Sequence, residues 1–321
     1  MNIYLLAALF SGIFYSISTI IFKISNKHLV SDPLRFGFLT GFARIPELLL
    51  LIPFISPPTK LSSGLILAVI FYSLIFFIGN ILTVVSIKNL DVSVFSPLFN
   101  LQLIFTPLFA YFLLKERFSV VVYLLMGAVM VGGFLVTFSV HSKRRRNLFV
   151  LLGRSLVNKD FDLPMPLARQ NNSSHWIALL ILTLGLAFYS LSDNVSGYIL
   201  KDWDALSLVF YSSIIQLFYS LFLIPFFGPK EDIRLKRTWP IMFHALFNFL
   251  GLLAINVGFS GSVSLTQTLS RLSTVYVLIF VVLLTRFNKD LLEDNPKYVY
   301  VVRFLGSGVM VASAIAILLL K

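Results

Sequence analysis

Apolar runs of about 20 residues, the length that crosses a bilayer's hydrocarbon core, follow one another along almost the whole chain. Ten are read, over residues 3–22, 34–55, 65–87, 92–114, 120–140, 176–199, 205–227, 240–257, 262–285 and 298–320. Apolar runs of this length are expected to be helical, because lipid offers no partner to a free backbone N–H or C=O. Composition points the same way. Hydrophobic residues make up 58% of the chain and charged ones 12%, against about 25% charged in a soluble domain. A fold surrounded by water cannot hide that much apolar surface. The expected class is an all-α polytopic membrane protein with the lipid bilayer as its solvent, placed in the plasma (inner) membrane. Trp176, Trp203 and Trp239 fall at predicted span ends, where an amphipathic indole prefers to sit. The first run lacks a basic leader and exceeds a signal-peptide core, so it counts as a span.

The spans repeat. Phe14-Tyr15-Ser16-Ile17-Ser18 in the first recurs as Phe188-Tyr189-Ser190-Leu191-Ser192 in the sixth. Asp32 before the second recurs as Asp204 before the seventh. Ser93-Val94 and Arg117-Phe118 around the fourth match Ser262-Val263 and Arg286-Phe287 around the ninth. Ala128 to Gly132 in the fifth match Gly308 to Ala312 in the tenth. The matches are collinear, so residues 1–140 and 176–321 read as two five-helix halves, with 141–175 as a basic linker. Five is odd, and consecutive halves must therefore cross in opposite senses. The expected architecture is ten transmembrane helices in two inverted repeats, a layout that places substrate sites near the midplane.

The net charge is +12. The basic residues are read as loop anchors on the cytoplasmic face. No basic domain outside the membrane is long enough for nucleic acid. The chain has no cysteine, which excludes disulfides and thiolate metal sites. No metal or cofactor is expected. The linker opens with Lys143-Arg144-Arg145-Arg146 and carries an apolar stretch, 148–152, read as lying on the membrane surface.

The stretch Ser86-Ile87-Lys88-Asn89-Leu90-Asp91-Val92-Ser93 runs into the fourth span, which holds Pro97 and Pro107 and ends at Lys115-Glu116-Arg117. Together with residues 33–44 opening the second span and Lys23 closing the first, it resembles EamA-type members of the drug/metabolite transporter superfamily. The resemblance implies a ten-helix fold, a central cavity, and export or exchange of amino acids, metabolites or drugs without ATP. The second half departs from the pattern: Thr266 and Tyr276 replace the prolines, and Thr285 stands where Glu116 sits in the first half.

Charges at membrane depth are expensive and functional by default. Arg271 in the ninth span and Asp193 in the sixth are candidate anchors for a small-molecule substrate, a fixed cation and anion suited to a zwitterion such as an amino acid. Arg44 and Glu47 lie at i, i+3 in the second span and are expected to form a structural ion pair. Tyr15, Ser16, Tyr189, Ser190, Asn194, Asn80, Asn100, Gln102, Asn248 and Gln267 complete the candidate substrate-binding set, with Asn256 as a further buried polar residue. For each Ser and Asn the competing role is hydrogen bonding across helices as packing glue. Spans 1, 3, 4, 6, 8 and 9 are expected to line the cavity, with Arg271 and Asp193 facing it. Gly127, Ala128, Gly132 and Gly308 are expected to permit close helix contact, a homodimer face being one use.

The leading expectation is a secondary transporter of small amphipathic metabolites, by export or exchange. The alternatives are a flippase for a lipid-linked group and, from other classes, a membrane-embedded enzyme or a non-transporting scaffold. No His-Glu-x-x-His, paired Asp-rich motif or P-loop supports the enzyme, and the four histidines are scattered.

Overall fold

The computed structural model describes residues 3–28, 33–55, 62–89, 98–136, 172–226, 239–284 and 297–320. The basic run and apolar stretch of the linker, at 143–146 and 148–152, lie outside them, as does Asp32. All regular structure among the described residues is helical. The α-helices are α1 Ile3–His28, α2 Pro33–Phe42, α3 Ile45–Leu51, α4 Ser63–Asn89, α5 Gln102–Leu113, α6 Val120–Val136, α7 Asn172–Ile199, α8 Ala205–Leu221, α9 Trp239–Phe259, α10 Val263–Ser270, α11 Ser273–Leu284 and α12 Lys297–Leu319. Among the described residues, six stretches are long and apolar enough to cross a membrane: Ile3–Phe22, Gly37–Phe54, Ser63–Ser86, Trp176–Ile199, Trp239–Phe259 and Val301–Leu319. Shorter apolar stretches cover Phe99–Leu113, Val120–Val136 and Ala205–Leu221.

Two predicted continuous spans are broken. The second divides into α2 and α3 at Ala43 and Arg44, because Pro46 has no N–H to donate to the carbonyl four residues back. The ninth divides into α10 and α11 at Arg271 and Leu272, within a Ser- and Thr-rich stretch whose hydroxyls turn onto the backbone. Ser270 Oγ donates to Gln267 O at 2.9 Å and Thr274 Oγ1 to Arg271 O at 2.9 Å. Both breaks fall on an arginine.

The most extensive helix contacts are α1 on α9, α4 on α7 and α6 on α12. Two of these depend on glycine pairs. A Cβ on Gly79 of α4 would stand 3.1 Å from Gly185 O of α7, and one on Gly185 would stand 3.2 Å from Gly79 O. A Cβ on Gly306 of α12 would stand 2.7 Å from Gly132 O of α6. Gly132 therefore packs inside the chain. Gly127 and Gly308, expected to permit close helix contact within the chain or at a homodimer face, have nothing within 4 Å among the described residues. Asp204 is the N-cap of α8, its Oδ1 accepting from Ser207 N at 2.8 Å.

The molecule has apolar residues outside and polar residues within. Phe71, Leu67, Leu124, Leu180, Phe218 and Phe304 are exposed on the outer faces, while Ser190, Asn194, Asn256, Gln267 and Thr268 are buried. Lipid rewards that arrangement, since apolar side chains are at home in it and polar groups must find partners inside. Trp176 and Trp239 are exposed at helix ends, but Trp203 is buried against Tyr211 in the α7–α8 turn. Its indole serves packing there.

Candidate functional site

A cleft with a volume of about 130 Å³ lies among α1, α2, α4, α7, α8 and α9. Its lining includes Phe22 near the end of α1, Leu34 near the start of α2, Val84 near the end of α4 and His244 near the start of α9. These positions place its mouth on the side of the molecule where α7 begins, the side of the linker. Deeper in the helices it meets Arg44, Asn80, Tyr189 and Asn248. The walls combine Phe76 and Phe77 with Ser213 and Gln216.

The helix break orients Arg44. Arg44 opens α3 in helical conformation, and Glu47 lies within electrostatic reach of it, though the guanidinium's hydrogen bond does not go to it. The guanidinium instead donates through Nη2 to Asn248 Oδ1 of α9, and Glu47 Oε2 is buried without a hydrogen-bond partner. Arg44 thus keeps Glu47 within electrostatic reach while its hydrogen bond joins the two halves of the chain. The arginine also follows the C-terminal turn of α2, where the carbonyl ends of the helix favour a cation. Tyr189 Oη donates to Asn80 Oδ1 at 3.1 Å, and its ring stands edge-on to Phe76 at 5.2 Å.

Asp193 and Arg271 do not line the cleft; they meet through Gln267. The Gln267 amide donates through Nε2 to Asp193 Oδ2. Its Oε1 accepts from Arg271 Nη2 at 3.2 Å and from Ser270 Oγ at 3.1 Å. One amide thereby bridges a carboxylate on α7 and the guanidinium at the α10–α11 break. Tyr15 lies within electrostatic reach of Asp193, Arg271 and Arg44. Its ring packs on Gly251 of α9, where a Cβ would come within 2.9 Å of it.

All eight residues of α10 are buried. It packs against α1, α5, α7 and α9, and its N-terminus is capped from the other half. Glu116 accepts from Val263 N at 2.8 Å and from Ser264 N at 3.2 Å, while the N-cap Ser262 accepts from Leu265 N at 3.4 Å. The first three free amides of the helix are all satisfied, and a carboxylate suits the positive end of its dipole. Lys115, with φ 60°, turns the chain at the end of α5 to bring Glu116 there. A non-glycine residue in this left-handed region is uncommon. Glu116→Ala is expected to cost about 1–3 kcal/mol of stability, the price of leaving buried amides unpaired. Chemical denaturation of purified protein checks this, and an unchanged midpoint would show that the cap is dispensable.

Of the expected site residues, Asn80, Tyr189 and Asn248 line the cleft, and Arg44 joins them from its expected structural role. The others lie elsewhere. Ser16 donates to Ser273 O at 2.8 Å, joining α1 to α11. Asn194 donates to Thr106 O at 3.2 Å and to Ser190 O at 2.8 Å, joining α7 to α5. Ser190 and Gln102 are buried away from the cleft. Asn100 is fully buried, its amide packed over Gly133 of α6. The expectation that spans 4 and 9 line the cavity gives way to spans 2 and 7, because the broken ninth span is packed closed around α10. Ser213, Gln216, Phe76 and Phe77 were not among the expected residues, and no spacing marks them. The signal for Arg44 was Pro46, two residues beyond it.

No curated protein matches the chain. Among solved structures 28 chains match. One, titled only as a crystal structure of a protein, superposes with a TM-score of 0.68 at 12% identity, covering 98% of this chain and 96% of its own. That likeness concerns the fold. Residues 2–138 match the EamA-like transporter family, and over that first half the chain is recognised as EamA-like, as its sequence resemblance implied.

Proposed function

We propose that the protein is a secondary transporter that moves small amphipathic metabolites by alternating access, with ten spans in two inverted halves, 1–140 and 176–321. The observation that carries the reading is a cleft reaching in from one side to a helix break at Arg44, while the opposite side is closed by the buried, cross-capped α10. Discontinuous helices at mid-depth are where transporters of inverted-repeat design bind their cargo.

Packing supports the two halves. Exchanging spans 1 to 5 with spans 6 to 10 turns the contact of α1 with α9 into that of α7 with α4, and the contact of α5 with α7 into that of α10 and α11 with α1. The contacts of α6 with α12, α5 with α10 and α2 with α8 map onto themselves. A pseudo-two-fold relation produces that pattern. In this reading Asp193, Gln267 and Arg271 lie along the path between the cleft and the closed side.

Orientation follows from charge. The connectors and span ends on the linker side carry 19 Lys and Arg, and those on the side of both termini carry 5. Without the seven of the linker the difference remains 12 against 5. The positive-inside rule then puts the linker and the mouth of the cleft in the cytoplasm, whereas transporters of the type that the chain resembles generally keep both termini there. A cysteine from Ser142→Cys should resist an impermeant thiol reagent applied to intact cells, and one added after Lys321 should react. For transport, purified protein in sealed vesicles should give saturable, ATP-independent flux of at least one member of a panel of amino acids and related metabolites. The absence of flux across the whole panel, with correctly folded protein in both orientations, would overturn the reading.

A further inference from the structure

We propose that the cleft holds an oxyanion site, for a carboxylate or phosphate borne on a compact apolar body, built on Arg44, Ser213 and Gln216. The proposal rests on the reading of the cleft as the place where substrate binds, and it names the chemical class of that substrate.

Three observations carry it. Arg44 supplies the formal charge among the described lining residues, and no carboxylate lines the cleft with it. Buried polar atoms without partners in the lining are Arg44 Nε, Ser213 Oγ and Gln216 Nε2. All three can donate a hydrogen bond, and buried donors left unpaired are costly enough to call for a ligand acceptor. Two acceptors in the lining are already engaged: Asn248 Oδ1 takes Arg44 Nη2, and Asn80 Oδ1 takes Tyr189 Oη. Arg44 is anchored through Nη2 and keeps Nε unpaired, a donor on a charged group, and such donors make the stronger bonds to an oxyanion. Ser213 is 4% exposed and its Oγ is buried without a partner. The rings of Phe76 and Phe77 supply an apolar wall for the rest of the ligand. A zwitterion held between Arg271 and Asp193 is not what these groups are arranged to receive, since those two charges are already bridged by Gln267.

The test is direct binding to purified protein in phosphatidylcholine vesicles, using phenylacetate and phenyl phosphate as probes against phenylacetamide and phenethylamine. At least one oxyanion should bind about tenfold or more tighter than the amide, the span of one hydrogen bond to a charged group. Which of the two binds tighter separates carboxylate from phosphate chemistry. Arg44→Gln should abolish the preference, Ser213→Ala and Gln216→Leu should each reduce it, and Arg44→Lys should retain part of it. The ligand series on the unaltered protein decides the matter even where Arg44→Gln fails to fold. Equal or tighter binding of the amide or amine, or an unchanged preference in folded Arg44→Gln, would overturn the proposal. Repeating the series with phosphatidylglycerol in the vesicles separates the sources. Retained binding assigns the site to soluble oxyanions, and displacement overturns that source in favour of a lipid headgroup. Oxyanion-selective binding without flux would leave the site standing and remove the transport reading. Flux with no preference for oxyanions would do the reverse.

Discussion

Gly306→Val is expected to yield a protein that unfolds far more readily than the parent, while Gly308→Val, two residues further along α12, leaves stability unchanged. The contrast comes from what each side chain would meet. At Gly306 a single Cβ would already lie 2.7 Å from Gly132 O and 2.8 Å from Val136 N. These are backbone atoms of α6, which cannot rotate aside as a side chain does. Relief requires the two helices to separate, and α6 on α12 is among the most extensive contacts of the molecule. Separation would also loosen buried Met310 and Val129, which pack in the same cluster. Overpacking of this kind costs about 1–3 kcal/mol. Around Gly308 there is nothing within 4 Å, and an added apolar side chain there meets none of the described residues. Denaturation midpoints of the two variants in detergent provide the measurement. Equal midpoints would show that α6 and α12 do not approach as described.

Gln267→Leu should be the most damaging conservative change inside the bundle. Its amide accepts from Arg271 and donates to Asp193, so leucine strands a carboxylate and a guanidinium together. Leaving a buried group without its hydrogen-bond partner costs about 1–3 kcal/mol, and more where the group is charged. The loss should be non-additive. Asp193→Asn loses the same hydrogen bond from Gln267, so the double variant should lose less stability than the sum of the two single variants. A coupling energy near zero in that double-mutant cycle would show that Gln267 does not join the two groups.

These two sites divide what was legible in the sequence from what was not. The apolar runs announced helices in lipid, and the mean hydropathy of the whole chain, +0.90, left little alternative. The glycine-containing match between the fifth and tenth spans marked the right pair of helices, yet it pointed to Gly308 as well as Gly132. A match between repeats reports position along a helix and is silent about which face of that helix meets a neighbour. Asp193, Gln267 and Arg271 were each visible as polar residues at membrane depth. Their union through one amide was not, because α7 and the α10–α11 break come together only in the folded bundle.

The second span shows where a local reading stops. Arg44 and Glu47 are three residues apart, and Glu47 lies within electrostatic reach of the arginine. Pro46 cannot donate to the carbonyl of Phe42, so α2 ends ahead of the arginine. The arginine then finds Asn248, 204 residues away in the chain. The sequence of α10 is more polar than that of its neighbours, and in water it would suggest exposure. Here it is the one helix whose every residue is buried among those described.

By itself, then, the sequence determined the solvent, the helical class, the EamA-like first half and the inventory of polar groups that must be hidden. Those follow from composition and from the rule that lipid accepts no unpaired backbone. Only the tertiary structure decided which polar groups face the cleft, which are bridged and which cap a helix from the opposite half. Each of those outcomes depends on contacts between residues far apart in the chain and on two helix breaks that re-aim an arginine.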